Sequence, residues 1–192
     1  MLELNENYWT NRYQNAETGW DVGSITTPLK TYFDQLTDKN IRILIPGCGN
    51  AYEAEYLWNQ GFTNVYVVDL SELPLTKLKN RNPKIEDRYF VHGDFFSLYE
   101  TFDLIVEQTF FCAISPKLRE MYAQKSAELL AKRGKLVGVL FNREFPGGPP
   151  FGGDIEEYKT YFSKYFNEIS LTPCYNSIKP RHGSELFMIC KK

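Results

Sequence analysis

An apolar run, Ile41-Arg42-Ile43-Leu44-Ile45, breaks into Pro46-Gly47-Cys48-Gly49-Asn50, passes through a helical stretch and resumes as Val65-Tyr66-Val67-Val68-Asp69. The order is strand, glycine turn, helix, strand, acid. Glycines at the carboxyl end of a first strand let the backbone approach a ligand, and a carboxylate ending the second can hold ribose hydroxyls. The unit therefore describes a site for an adenosine-bearing cofactor.

Strand-like and helix-like segments keep alternating to about residue 141, the signature of a parallel sheet covered on both faces, so the fold class is α/β and Rossmann-like. Ser71 is expected to cap a helix through Lys79, with Pro74 tolerated in its first turn. Arg88 to His92 reads as the third strand with Gly93-Asp94-Phe95 as its exit, and Phe102 to Glu107 as the fourth. Apolar spacing predicts a helix from Pro116 to Ala131, stopped at Gly134, and a fifth strand from Gly134 to Phe141. The glycine and proline segment 146–153 cannot be regular structure and reads as a mobile cover or a passive surface loop. Asp154 is expected to cap a helix to about Tyr165, followed by strands over Phe166 to Thr172 and Ser184 to Cys190, paired as an antiparallel hairpin at the sheet edge.

At 192 residues the chain suits a single domain, with 1–40 as an N-terminal helical cap and 41–192 as the core. Lys plus Arg number 22 against 24 Asp plus Glu, so there is no surplus of positive charge to neutralise a nucleic acid or an anionic membrane. The start lacks the charged and apolar regions of a leader, and no window approaches the roughly 20 apolar residues of a span, which predicts a soluble, cytoplasmic protein. Cys48, Cys112, Cys174 and Cys190 are far apart and the only histidines are His92 and His182, an inventory that argues against a zinc site and against a disulfide framework.

The dinucleotide fingerprint needs a third glycine where this chain has Tyr52, and no Gly-Lys-Ser/Thr follows the turn. Gly47 and Gly49 instead suit an adenosine ligand without a pyrophosphate, namely S-adenosylmethionine. Asp94 stands where it can accept a hydrogen bond from the adenine amine, with Phe95 against the ring; the same Asp also suits a surface turn.

Beyond these units, Trp9 to Trp20, Ile45-Pro46-Gly47-Cys48-Gly49, Val68-Asp69-Leu70-Ser71, Gly93-Asp94-Phe95-Phe96, Phe110-Phe111-Cys112-Ala113-Ile114 and Gly147-Gly148-Pro149-Pro150-Phe151 closely resemble the thiopurine S-methyltransferase superfamily. The likeness covers essentially the whole chain and is nearest to the thiol and halide methyltransferase branch. It implies a class I methyltransferase fold with seven mostly parallel strands, an N-terminal helical lid and S-adenosylmethionine over the strand ends. By that resemblance Trp9 and Trp20 enclose the cofactor, Gly47 lines its methionine portion, Asp69 holds the ribose, and Asp94 with Phe95 holds the adenine. Tyr13 stands where a third tryptophan is usual and Gln108 where Tyr or Arg is usual; both stay in the candidate cofactor set.

Methyl transfer from a sulfonium is an in-line displacement, so a protein mostly positions two reactants and excludes water. A thiol needs no strong base, its reference pKa being about 8.5. The faces of Trp9, Tyr13 and Trp20 can carry the sulfonium charge, or the three can be core packing. Phe110 and Phe111 can form an apolar mouth for a soft nucleophile or plain core at a strand end. Arg143, Asp154 and Tyr158, near the fifth strand's exit, are candidates for positioning the acceptor, although an arginine there also suits plain solvation. The expected substrate is a small thiol or a halide, the expected state a monomer. Two other classes keep part of the pattern: a non-catalytic S-adenosylmethionine or S-adenosylhomocysteine binder, and an NAD-linked oxidoreductase.

Overall fold

A computed structural model describes residues 3–192. Helix α1 (Glu6–Gln14) begins at Asn5, whose side chain accepts the Tyr8 amide at 3.0 Å, and α2 (Thr27–Asp34) carries Pro28 in its first turn. The core follows as β1 (Ile43–Pro46), α3 (Tyr52–Asn59), β2 (Val65–Asp69), α4 (Glu72–Arg81), β3 (Phe90–His92) and β4 (Phe102–Gln108). It continues with α5 (Arg119–Leu129), β5 (Leu130–Phe141), α6 (Ile155–Phe162), β6 (Glu168–Pro173) and β7 (Glu185–Lys191).

The seven strands form one sheet in the order β3-β2-β1-β4-β5-β7-β6. The first five are parallel, and β7 runs antiparallel to both β5 and β6. Strand alternation divides the core in two. Ile43, Ile45, Val65, Val67, Leu104 and Val106 face Leu29, Phe33, Ala54, Leu57 and Leu78 of α2, α3 and α4. Leu44, Val68, Ile105 and Leu136 face Tyr122, Ala127, Tyr158 and Phe162 of α5 and α6. Strand order reverses between β1 and β4, and ligands of such sheets bind beyond the carboxyl ends at that point.

Several expected boundaries move. The predicted helix over 116–131 is a 3-10 turn at Pro116–Leu118 followed by α5, which ends at Leu129. Leu130 then enters β5 and pairs with Phe102, and the register shifts before Leu104 pairs with Lys135. The cause is burial: Leu130 is 1 % exposed and joins Phe102 in one apolar cluster. Residues 88 and 89 lie in a 3-10 turn, Asp87–Tyr89, leaving a three-residue β3. Ser71 sits at the start of α4 without capping it through its side chain; its hydroxyl lies 2.9 Å from that of Thr10 and ties α1 to the end of β2.

The C-terminal pair is the expected antiparallel hairpin at the sheet edge. Residues 174–184 join the two strands, β7 lies between β5 and β6, and β6 is the outer strand of the pair. Leu186, Met188 and Cys190 of β7 are wholly buried, whereas β6 has no buried residue. A strand wrapped in apolar contacts belongs inside the sheet and a half-exposed one at its edge. Among the described residues, no helix is long and apolar enough to cross a membrane.

Candidate active site

A cleft of about 680 Å³ opens over the carboxyl ends of the parallel strands, roofed by α1 and the loop around Trp20. Its floor is the glycine turn after β1. Gly47 and Gly49 have φ of +54° and +52°, values L side chains rarely adopt, and the Cys48 amide between them bonds the Val68 carbonyl at 3.1 Å. Asp69 closes the floor: one carboxylate oxygen accepts the Gly49 amide at 3.0 Å, the other the Ser71 amide at 2.9 Å. Burial pushes its carboxyl up, while the two amides and His92 pull it down. A carboxylate has about four lone-pair sites, so each oxygen keeps one for a donor in the cleft, as a ribose diol requires. The same acid that orders the turn can hold the ligand.

Asp94 and Phe95 line the next part of the wall. One Asp94 oxygen accepts the Phe96 amide at 3.0 Å and caps a 3-10 turn, Phe95–Ser97, so the surface-turn geometry and a place on the cleft coexist in one residue. Phe95 is buried, its ring 5.5 Å from that of Phe110.

The roof is aromatic. The Trp9 and Trp20 rings meet edge to face at 5.7 Å, as do those of Tyr13 and Trp20, and all three line the cleft. A Cβ placed on Gly49 would lie 3.1 Å from the Tyr13 hydroxyl, so the lid and the turn are in contact. Burial, then the Asp69 charge, push that hydroxyl up, and it stays a proton donor. Tyr52, at the missing third glycine, points its hydroxyl at Asp21 (3.4 Å), which also accepts from the Asn50 amide group. The residue that weakens a dinucleotide site here fastens the loop carrying Trp20 to the glycine turn.

Gln108 lines the cleft and accepts the Thr26 hydroxyl at 3.2 Å. Phe110 covers Gly47, while Phe111 is 1 % exposed and belongs to the core. Arg143 lies exposed on the cleft's rim with its guanidinium 4.7 Å from the Phe145 ring centre. The other two positioning candidates are corrected. Asp154 caps α6 by accepting the Glu157 amide, and Tyr158 is 1 % exposed with its hydroxyl donated to the Phe141 carbonyl at 2.6 Å; neither lines the cleft. The bridge between Arg143 and Gly153 turns the chain back at this point, and α6 then packs its buried face on the sheet.

Three charged residues escaped notice in the sequence. Arg181 lines the cleft from the 174–184 connection, 8 % exposed, donating to the Trp20 carbonyl at 2.8 Å and facing Glu185 at 3.5 Å. It carries no local signal, since Lys179-Pro180-Arg181 reads as a solvated linker. Glu53 lies on the cleft wall at the start of α3, its carboxyl pushed up to about 7 by burial. Glu107, 0 % exposed, accepts the Phe110 and Phe111 amides at 2.8 and 2.9 Å on one oxygen and the Tyr122 hydroxyl at 2.6 Å on the other. Its signal was present: an acid closing Leu104-Ile105-Val106 needs buried partners.

Strand order, glycine turn and acid-ended second strand together are those of the class I S-adenosylmethionine-dependent methyltransferases. A solved structure of that class, the Burkholderia thailandensis 1,6-didemethyltoxoflavin-N1-methyltransferase with bound S-adenosylhomocysteine, superposes with a TM-score of 0.73 at 16% identity, over 97% of this chain and 86% of that one. The chain belongs to the thiopurine S-methyltransferase family, whose sequence profile matches residues 4–186. It is 31% identical to the probable thiol methyltransferase 2 of Arabidopsis thaliana over 96% of this chain and 84% of that protein. It is 30% identical to thiocyanate methyltransferase 1 of the same plant, over 95% and 83%.

Proposed function

We propose that the chain transfers the methyl group of S-adenosylmethionine to the sulfur of a small thiol, with hydrosulfide and halide ions as further acceptors. The observation that carries this reading is the lining of the cleft: Phe110, Ile114, Phe145 and Pro149 make it apolar, and Arg143 and Arg181 bring positive charge to it. Such a wall suits a soft anion, and cations nearby favour thiolate over thiol. The relatives named thiol and thiocyanate methyltransferases support the same chemistry.

When bound, S-adenosylmethionine supplies an electrophilic methyl group on a positively charged sulfur. The chain's part is to hold and to exclude. In this reading Gly47 and Gly49 accommodate the methionine portion, Asp69 accepts from the ribose hydroxyls, and the Asp94 oxygen not used by Phe96 accepts from the adenine amine while Phe95 packs on the ring. Gln108 completes the wall. Trp9, Tyr13 and Trp20 turn π-electron density toward a sulfonium and close the roof against water. A thiol partly ionised near neutral pH needs no strong base. The chain works as a single domain and a monomer in the cytoplasm, on small molecules rather than nucleic acid; light scattering after gel filtration tests its oligomeric state.

Incubation with S-adenosylmethionine and a panel of small thiols, hydrosulfide and iodide, read by mass spectrometry, is expected to yield methyl thioethers, methanethiol and methyl iodide respectively. Binding of S-adenosylhomocysteine without any methylated product would leave a non-catalytic binder, and tight NAD binding with none for the sulfonium would overturn the cofactor. Arg143→Ala is expected to raise KM for an anionic acceptor about fivefold while leaving S-adenosylhomocysteine affinity unchanged, a loss of the size of one exposed charge contact. An unchanged KM would remove Arg143 from the acceptor site.

A further inference from the structure

The chain leaves β4 through Thr109, a β-branched residue held at φ +61°, a conformation natural to glycine. Strained backbone of this kind persists only where its surroundings over-determine it. The consequence of the turn is the place of Phe110: its ring lies on Gly47, 2.2 Å from where a Cβ would stand, and 5.5 Å from Phe95. Gln108 and Cys112, on either side, also line the cleft.

What holds the turn is Glu107. Its carboxylate receives the two amides that follow Thr109, those of Phe110 and Phe111, and the Tyr122 hydroxyl from α5 fixes its other oxygen. Burial pushes this carboxyl up to about 7 while the same donors pull it down, and amide donors to its ionised form make bonds about twice as strong as neutral pairs. Tyr122 is itself wholly buried, its ring 5.4 Å from Phe95 and 5.8 Å from Phe110, so the phenol that anchors the acid also packs against the rings the acid positions. Glu107 has no access to the cleft and touches no reactant.

We propose that Glu107, anchored by Tyr122, is a positioning residue for the methyl-donor site: it holds the strained Thr109 turn so that Phe110 lies across Gly47 and beside Phe95. The proposal rests on the cofactor reading above. It differs from a plain stability role in one respect, because it makes Thr109 strain the quantity that Glu107 offsets. Glycine at 109 takes the same conformation without help.

Calorimetric titration of S-adenosylhomocysteine against the full chain and its Glu107→Gln, Thr109→Gly and double variants tests this, with thermal unfolding alongside. In Glu107→Gln the side chain keeps an oxygen for the amides but presents an NH2 to Tyr122, whose proton must then turn away. Glu107→Gln is expected to weaken binding about tenfold, Thr109→Gly alone by less than twofold, and the double variant to recover most of the loss. Unchanged affinity with a lowered Tm, or a loss that Thr109→Gly leaves in place, overturns the proposal. If Glu107→Gln does not fold, Tyr122→Phe carries the test, with about threefold weaker binding expected and no change counting against it. Failure of the unaltered chain to bind would overturn the cofactor reading. Amide exchange at Phe110 and Phe111 would still judge the turn: acceleration of about tenfold in Glu107→Gln is expected, and equal rates refute it.

Discussion

Asp69→Ala is expected to raise the dissociation constant for S-adenosylhomocysteine by about a hundredfold or more, measured by calorimetry. Hydrogen bonds to a charged group contribute about 1.5–3 kcal/mol each, so losing two from a ribose amounts to two or more decades of affinity. The substitution also leaves the Gly49 and Ser71 amides without their acceptor, at the turn that forms the floor of the cleft and at the start of α4. Unsatisfied buried donors cost about 1–3 kcal/mol each, so Tm is expected to fall as well. Asp69→Asn separates the two effects. Its remaining oxygen serves one amide and its NH2 opposes the other, so binding should fall by less than in the alanine variant while the fold is better kept. Arg143→Ala is the contrast, with cofactor affinity intact. Equal losses at Asp69 and Arg143 would show that the ribose is not held by Asp69.

The strand and helix alternation of 41–141 was legible because the central strands β1 and β2 are buried on both faces and read as nearly unbroken apolar runs. The glycine turn, Asp69 and the Asp94-Phe95 pair were legible for a related reason: in a parallel sheet every strand exit points to one edge, so chain order places them together. The C-terminal third obeys no such rule. Local periodicity reveals that residues 185–191 form a strand and says nothing of whether it lies beside β5 or outside β6. Tyr158 and Asp154 were misplaced because nearness in sequence to Arg143 does not fix direction; one turn of chain carries them from the cleft into α6. Arg181 was invisible since its partners, Trp20 and Glu185, stand 161 residues before it and on the next strand. Glu107 was visible as an acid in an apolar strand, but its meaning lies in Tyr122, which only helix packing brings to it.

Gly47→Ala is expected to remove measurable S-adenosylhomocysteine binding and to lower Tm by about 4–20 °C. Two effects add. At φ +54° a Cβ crowds the following carbonyl, for roughly 1–2 kcal/mol, and forced overpacking adds about 1–3 kcal/mol. At about 2–4 °C per kcal/mol for a chain of this size, the sum spans about that range. The overpacking is severe because the ring it strikes cannot swing away: Phe110 is edge-on to Phe95 and Tyr122, and its amide is held by Glu107. Either the ring is expelled or the glycine turn moves, and both change the wall on which the cofactor lies. Adding Phe110→Leu to Gly47→Ala removes the flat ring from the collision while leaving the backbone strain. Recovery of half or more of the lost Tm in the double variant would assign the larger part to the ring. No recovery would assign it to the left-handed turn itself, and then Gly49→Ala, whose Cβ meets only the Tyr13 hydroxyl at 3.1 Å and the Trp20 indole nitrogen at 3.9 Å, should destabilise nearly as much.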